Sequence, residues 1–165
     1  MRLFIASPAI IENYTSIREQ FSPALRGKWP NAAMLHLTWV FLGEEPDPEP
    51  FLIRLRTITP LGGETPLRSL GTFGHLPRIL YAAADASELS ETRRAFEATG
   101  FDMSRFRPHV TLCRIKNITD KITFGELEEK YRGKILGKIL PEIALYQSTL
   151  TDKGPIYKKL EAVTM

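Results

Sequence analysis

Two of the three histidines in this 165-residue chain sit in the same local pattern, His36-Leu37-Thr38 and His109-Val110-Thr111. In a strand, residues two apart point to one face, so each histidine shares a face with its threonine, while Leu37 and Val110 turn the other way into a core. An apolar-backed strand that presents an imidazole and a hydroxyl aims polar groups into a cleft. Imidazole titrates near neutrality, so one copy can be neutral while the other is charged. Such a pair suits the opening of a cyclic phosphodiester. One histidine takes a proton from water and the other returns a proton to the departing ribose oxygen, each transfer contributing about 10²–10⁴-fold. The threonine hydroxyls can donate hydrogen bonds to the charge that builds on the non-bridging oxygens of five-coordinate phosphorus. A cation would help, and Arg114 stands five positions after His109. That odd offset turns it to the other face of a flat strand, and only a twist or bulge returns it. On the residues alone Arg114 is equally a solvated edge arginine.

Other chemistry-bearing residues fall into weaker patterns. His75 ends the glycine-punctuated stretch Gly71-Thr72-Phe73-Gly74-His75 without a threonine partner and reads as a surface loop histidine. Three scattered histidines and one cysteine show no zinc-ligand spacing, so neither a metal nor another cofactor is expected. Cys113 reads as a buried residue facing away from His109 and Thr111, not as a nucleophile. Lys153 and Tyr157 either line the rim of the cleft or are simply an exposed turn lysine and a strand tyrosine, the second reading slightly favoured. Lys134, Lys138, Lys158 and Lys159 read as a solvated face.

The elements that must hold the two motifs come as a repeat. Arg2 to Ala6 (RLFIA) is strand-like. Ser7-Pro8 offers a capping hydroxyl and a first-turn proline, and Ile10, Ile11, Tyr14, Ile17 and Phe21 follow at helical spacing. Leu35 to Leu42 is a second strand. Asp47-Pro48 starts another helix with Phe51, Leu52 and Leu55 as its buried stripe, and Gly62-Gly63 marks a turn. The order then returns: Arg78 to Ala82 (RILYA) matches Arg2 to Ala6 in type, Ser87 caps a helix carrying Leu89, Arg93 and Phe96 that stops at Gly100, and Arg107 to Ile115 is a strand. The second strand of each copy carries His-x-Thr, which points to an internal duplication and two similar lobes. A short helix near Phe124 to Arg132 and two strands, Ile139 to Leu150 and Ile156 to Val163, complete the chain. Asp152-Lys153-Gly154-Pro155 makes the last two a hairpin.

Composition sets the frame. Hydrophobic residues at 43% and charged residues at 25% are those of a soluble globular chain with enough apolar material for its own core. A single cysteine allows no internal disulfide and makes a reducing, cytoplasmic setting the default. No run approaches the ~18 apolar residues of a bilayer span, and the N-terminus is too short and too soon polar for a signal peptide. A net charge of +3 suits an anionic substrate without demanding one, and lacks the dense basic face of a non-specific duplex binder.

HLTWVFLG (His36 to Gly43) and RPHVTLCRI (Arg107 to Ile115) resemble the two signature segments of the RNA 2′,3′-cyclic phosphodiesterase family, once named for 2′-5′ RNA ligase activity and part of the 2H phosphoesterases. The likeness extends over nearly the whole chain, including the opening RLFIA, the GTFG…RILYAA stretch and ALYQSTLTDKGPIYKKL near the end. It implies one bilobal α+β domain over residues 1–165, with two pseudo-symmetric antiparallel sheets and outer helices around a central cleft. It also implies metal-independent opening of a terminal 2′,3′-cyclic phosphate to a 2′-phosphate. By that resemblance His36 protonates the leaving 3′-oxygen and His109 activates water. Thr38 and Thr111 match phosphate-binding threonines, Arg114 an arginine that contacts nucleotide or phosphate, and Phe41 an aromatic that stacks on the terminal base. Expected partners are RNA ends or nucleotides bearing the cyclic phosphate, with no membrane, and a monomer is the default. Trp39 and Cys113 stand where the family commonly has smaller aliphatics; both read as facing away from the histidines. Two alternatives stay open: 2′-5′ RNA ligation on the same residues, and a nucleotide-binding module without turnover. Intact His36, Thr38, His109 and Thr111 argue against the second.

Overall fold

The computed structural model describes residues 1–59, 62–74 and 76–164. Its strands are β1 (Arg2–Ile11), β2 (Leu25–Lys28), β3 (His36–Glu44), β4 (Thr65–Phe73), β5 (Ile79–Ala84), β6 (His109–Ile118), β7 (Ile135–Ile139), β8 (Glu142–Thr151) and β9 (Gly154–Thr164), and its helices are α1 (Tyr14–Phe21), α2 (Glu49–Leu55), α3 (Ser90–Ala98) and α4 (Lys121–Lys130). Every strand pairing is antiparallel. One lobe carries β9-β8-β1-β3 and the other β4-β5-β6-β2. They meet where Leu37 of β3 pairs with Val110 of β6, and again through β7, which pairs with both β1 and β4. The α+β architecture with two matched antiparallel sheets is therefore the expected one, joined into a single pairing network.

Several local expectations change. Ser7-Pro8 does not start a helix; β1 runs on to Ile11, and α1 begins at Tyr14. The Ser7 hydroxyl is fully buried and accepts a hydrogen bond from Trp39 Nε1 at 2.8 Å, so it is not free to cap. Proline is tolerated there because Pro8 ends the β1–β3 pairing, opposite His36, where no N–H is needed. The Gly71–Phe73 stretch is not a loop but the end of β4, paired to β5. Strand β2 was not foreseen either. His75 lies outside the described residues.

The helices tie the lobes together by crossing. Helix α1 comes between the first lobe's strands in sequence, yet its Tyr14 hydroxyl is shared between Pro30 O at 2.7 Å and Leu112 O of β6 at 3.1 Å. Helix α3 belongs to the second copy, yet Phe96 stacks on Trp39 of β3 with centroids 5.2 Å apart. Each copy's helix thus packs behind the other copy's histidine strand. Phe21, Phe96, Leu37, Leu112 and Ile139, all fully buried, fill the space between sheet and helices. Gly100, at φ 90°, supplies the left-handed residue that ends the α3 segment.

Candidate active site

Strands β3 and β6 carry the same burial rhythm. In each, the histidine and threonine are half-buried, the residue between them is fully buried, and two consecutive buried residues follow before an exposed one. The doubled burial marks a bulge. Along β1 and β3 the register steps from Ala6↔Thr38 to Ile5↔Val40, which skips Trp39. Along β5 and β6 it steps from Tyr81↔Thr111 to Leu80↔Cys113, which skips Leu112. One extra residue inverts the alternation beyond it. The fifth residue after each histidine, Phe41 and Arg114, therefore returns to the histidine face, and the parity objection to Arg114 falls. Cys113 is buried because of this bulge. Four positions after His109, it would face the cleft under strict alternation, so the expected burial holds for a different reason. Burial pushes its thiol up to about 12, which leaves it unreactive. The bulges also correct the repeat alignment: Ala6 and Tyr81 are equivalent, so RLFIA and RILYA correspond one position out of step.

Antiparallel continuation from the Leu37↔Val110 rung sets His36 across from Thr111 and Thr38 across from His109. The two motifs are thus mutually inverted. Each imidazole is held by the same local device: His36 Nδ1 lies 2.7 Å from Met34 O and His109 Nδ1 lies 2.7 Å from Arg107 O, in both cases the carbonyl two residues earlier. A carbonyl only accepts, so Nδ1 carries the proton and Nε2 is left to act on a ligand. The Met34 carbonyl is presented by a short 3₁₀ turn, Ala32–Met34, capped by Asn31; the Arg107 carbonyl precedes Pro108, which favours extended backbone at Arg107. Among the described residues neither threonine hydroxyl has a side-chain hydrogen-bond partner, so both are available.

Each ring also has an aromatic collar. His36 lies 5.3 Å from the Phe4 ring and 5.4 Å from Tyr157, the latter edge-on at 87°. His109 lies 4.8 Å from Phe73 and 5.6 Å from Tyr81, both edge-on. Burial lowers the pKa of His36 most; the Met34 carbonyl opposes that, and the charges of His109 and Arg114 lower it further. For His109 burial again leads, opposed by the Arg107 carbonyl and aided by the Arg107 charge.

The collars differ in one respect. Phe73 and Tyr81 stack on each other at 4.1 Å beside His109, whereas beside His36 a cavity of about 310 Å³ opens between Phe4, Met34, Tyr146, Ile156 and Tyr157. The Tyr81 ring lies over Gly71, its partner across β4–β5; a Cβ there would come within 2.6 Å of Tyr81 Cζ.

Of the residues singled out from the sequence, His36, Thr38, His109, Thr111, Arg114 and Phe41 share the cleft face. Phe41 is 76% exposed with its ring 6.3 Å from Phe4, so it is not a core residue. Tyr157, for which a plain strand tyrosine is the favoured sequence reading over a cleft-rim residue, lies against His36 and lines the cavity. Lys153 sits at the exposed hairpin turn. Lys138 and Lys159 are paired with Glu64 and Glu142, and the four lysines are spread over the approach to β7, β7 itself and β9 rather than gathered in a patch. Phe4, Phe73, Tyr81 and Tyr146 were missed. Phe73 could have been found had the Gly71–Phe73 stretch been read as strand; the others depend on pairings between distant segments. The described residues contain no group of three or more His, Cys, Asp or Glu side chains that could hold a metal ion. Among them, too, no helix is long and apolar enough to cross a membrane.

No protein-family model matches the chain. Curated relatives do. It is 32% identical to the RNA 2′,3′-cyclic phosphodiesterase of Methanocaldococcus jannaschii, covering 98% of this chain and 99% of that protein. It is 30% identical to that of Aquifex aeolicus, covering 96% and 92%. Among solved structures, a Thermus thermophilus protein superposes with a TM-score of 0.74 at 28% identity, covering 98% of this chain and 96% of that one. Escherichia coli LigT complexed with 3′-AMP superposes at 0.67 and 22% identity, covering 98% and 95%, which bears on the fold alone.

Proposed function

Because the chain belongs to the RNA 2′,3′-cyclic phosphodiesterase family, we propose that it hydrolyses terminal 2′,3′-cyclic phosphates on RNA to 2′-phosphates, with His36 as acid and His109 as base and no metal ion. The observation that carries this reading is the inverted pair of imidazoles, each clamped at Nδ1 by a backbone carbonyl and each presenting Nε2 beside a free threonine hydroxyl.

In the reaction, His109 Nε2 takes a proton from water as its oxygen attacks phosphorus. The bond from phosphorus to O3′ breaks on the opposite side, and His36 Nε2 delivers its proton to O3′. The 2′-phosphate and a free 3′-hydroxyl result. Thr38, Thr111 and Arg114 face the non-bridging oxygens, where charge grows. Which histidine is the acid follows from the position of the ribose, because the leaving oxygen stays on the sugar. The cavity beside His36 is large enough for a nucleoside against Phe4, Tyr146 and Tyr157, whereas the collar of His109 is filled by the Phe73–Tyr81 stack. This asymmetry supports His36 on the leaving-group side. Both imidazoles are biased to the neutral form. That suits a base. It suits an acid only once an anion arrives, and a bound phosphate supplies the opposite charge that raises the His36 pKa.

Hydrolysis of nucleoside 2′,3′-cyclic phosphates by the parent and by His36→Ala and His109→Ala tests the reading, with ³¹P NMR identifying the product. Each variant is expected to lose about 10²–10⁴-fold in rate, with 2′-phosphate as the parent's product and EDTA without effect. Variants as fast as the parent would sink the catalytic assignment.

A further inference from the structure

Beyond Arg114 the histidine face of the second lobe continues onto edge strand β2. Lys28 pairs with Arg114, and Arg26 pairs with Asn117, the register stepping past Lys116 between them. Partners directly across a ladder share a face, and Arg26 and Lys28, two apart, share one as well. Their intervening Gly27 turns toward the core, where a Cβ would meet Cys113 Sγ at 2.7 Å. Arg114, Lys28 and Arg26 therefore form a row running out of the cleft on the face that carries His109 and Thr111. All three are exposed. Among the described residues the three cations of the row are in no salt bridge. Lys28 is also joined by a short segment to Ala33, Met34 and Leu35, which wall the cavity beside His36.

We infer that this row is a track for the sugar–phosphate backbone of single-stranded RNA, so that the enzyme is built for a cyclic phosphate at the end of a chain rather than on a free nucleotide. This rests on the phosphodiesterase reading above. The remaining phosphates of a chain that ends in the cleft continue outside it, and the row offers them cations. Strand geometry spaces Lys28 and Arg26 by about 7 Å, a stride comparable with successive phosphates of an extended strand. Unpaired, exposed cations on one face also give the salt-dependent, base-independent attraction that such a backbone requires.

The test compares a nucleoside 2′,3′-cyclic phosphate with a ten-nucleotide RNA bearing the same end, using the parent and the Arg26→Gln/Lys28→Gln double variant. Both substitutions are on the exposed surface, and a thermal melt checks the fold. The double variant is expected to hydrolyse the mononucleotide like the parent but to lose on the order of tenfold in kcat/KM on the ten-mer at low salt. Its slope of log kcat/KM against log salt on the ten-mer should be shallower by about 1.4, from about 0.7 per lost phosphate contact. Anisotropy binding of a fluorescent ten-mer ending in 2′-phosphate gives a readout that needs no turnover. Unchanged ten-mer binding and an unchanged slope in the double variant would overturn the track. Weakened binding by the double variant, with no hydrolysis by the parent, would uphold the track and fail the phosphodiesterase reading instead.

Discussion

Substituting Gly71 by alanine puts a methyl group under the Tyr81 ring, at 2.6 Å from Cζ and 2.6 Å from the hydroxyl oxygen. Carbon contacts are most favourable near 3.5–4.0 Å, so the ring must withdraw by about 1 Å. Phe73 is stacked on it with centroids 4.1 Å apart, and the centroid of the His109 ring is 5.6 Å away. The movement therefore reaches His109, the imidazole proposed as the base. A displacement of about 1 Å at a reacting group can cost ~10²-fold in rate, equivalent to about 2.7 kcal/mol of transition-state stabilisation. The stability cost of overpacking is smaller, about 1 kcal/mol, because Tyr81 faces the cleft and not the sealed core. Steady-state kcat/KM on a nucleoside 2′,3′-cyclic phosphate, read beside urea unfolding, separates the two effects. The decisive comparison is a double-mutant cycle: in a Tyr81→Ala background the new methyl has nothing to strike, and Gly71→Ala should then cost less than threefold. An equal fold-loss in both backgrounds, or parent activity in Gly71→Ala alone, would refute the mechanical link from Gly71 through Tyr81 to His109.

Both imidazoles are held below their ordinary value of 6.5, so kcat/KM should peak on the acid side of pH 6.5. Activity should fall at higher pH as His36 loses its proton and at lower pH as His109 gains one. Arg114→Gln removes a charge that lowers the His36 pKa, so besides losing rate it should move the alkaline limb to higher pH, as a pH–rate profile would reveal. Phe41→Ala should raise KM on the order of tenfold with little change in kcat, consistent with about 1–3 kcal/mol for a stacked base; a loss confined to kcat would exclude stacking. Trp39→Phe leaves the buried Ser7 hydroxyl without its 2.8 Å donor and should cost about 1–3 kcal/mol in urea unfolding. Ser7→Ala combined with Trp39→Phe should cost less than the sum of the two single variants.

What could be read from the chain beforehand was whatever local chemistry controls. His-x-Thr on an apolar-backed strand needs only the two-residue period, and both copies stand as expected. The Asp152–Pro155 hairpin and the Gly100 stop are likewise local. The failures share a different cause. Ser7-Pro8 carries a helix-start signal, but the Ser7 hydroxyl is claimed by an indole 32 residues away. Gly71 of β4 reads as loop because the aromatic ring that covers it comes from a neighbouring strand. The bulges that rescue Arg114 and bury Cys113 depend on pairing with β1 and β5, which no window of sequence contains. Tyr157 reaches His36 only through the register of β9 on β8 and of β8 on β1.

That same register has a consequence for how the molecule comes into being. Arg2–Ala6 of β1 pairs with Ala144–Ser148 of β8, so β1 leaves the ribosome well before this partner exists. At about 5–20 residues per second the interval is on the order of ten seconds. Throughout it one edge of β1 is without its neighbour, a template for unwanted pairing. By then both histidine motifs have been made, but Tyr146 and Tyr157, which wall the cavity beside His36, arrive with the β8–β9 hairpin. Pairings between such distant segments are also the slow ones to form. A nascent or clipped molecule lacking the β8–β9 hairpin thus carries both imidazoles without Tyr146 and Tyr157, the aromatic wall of the cavity beside His36.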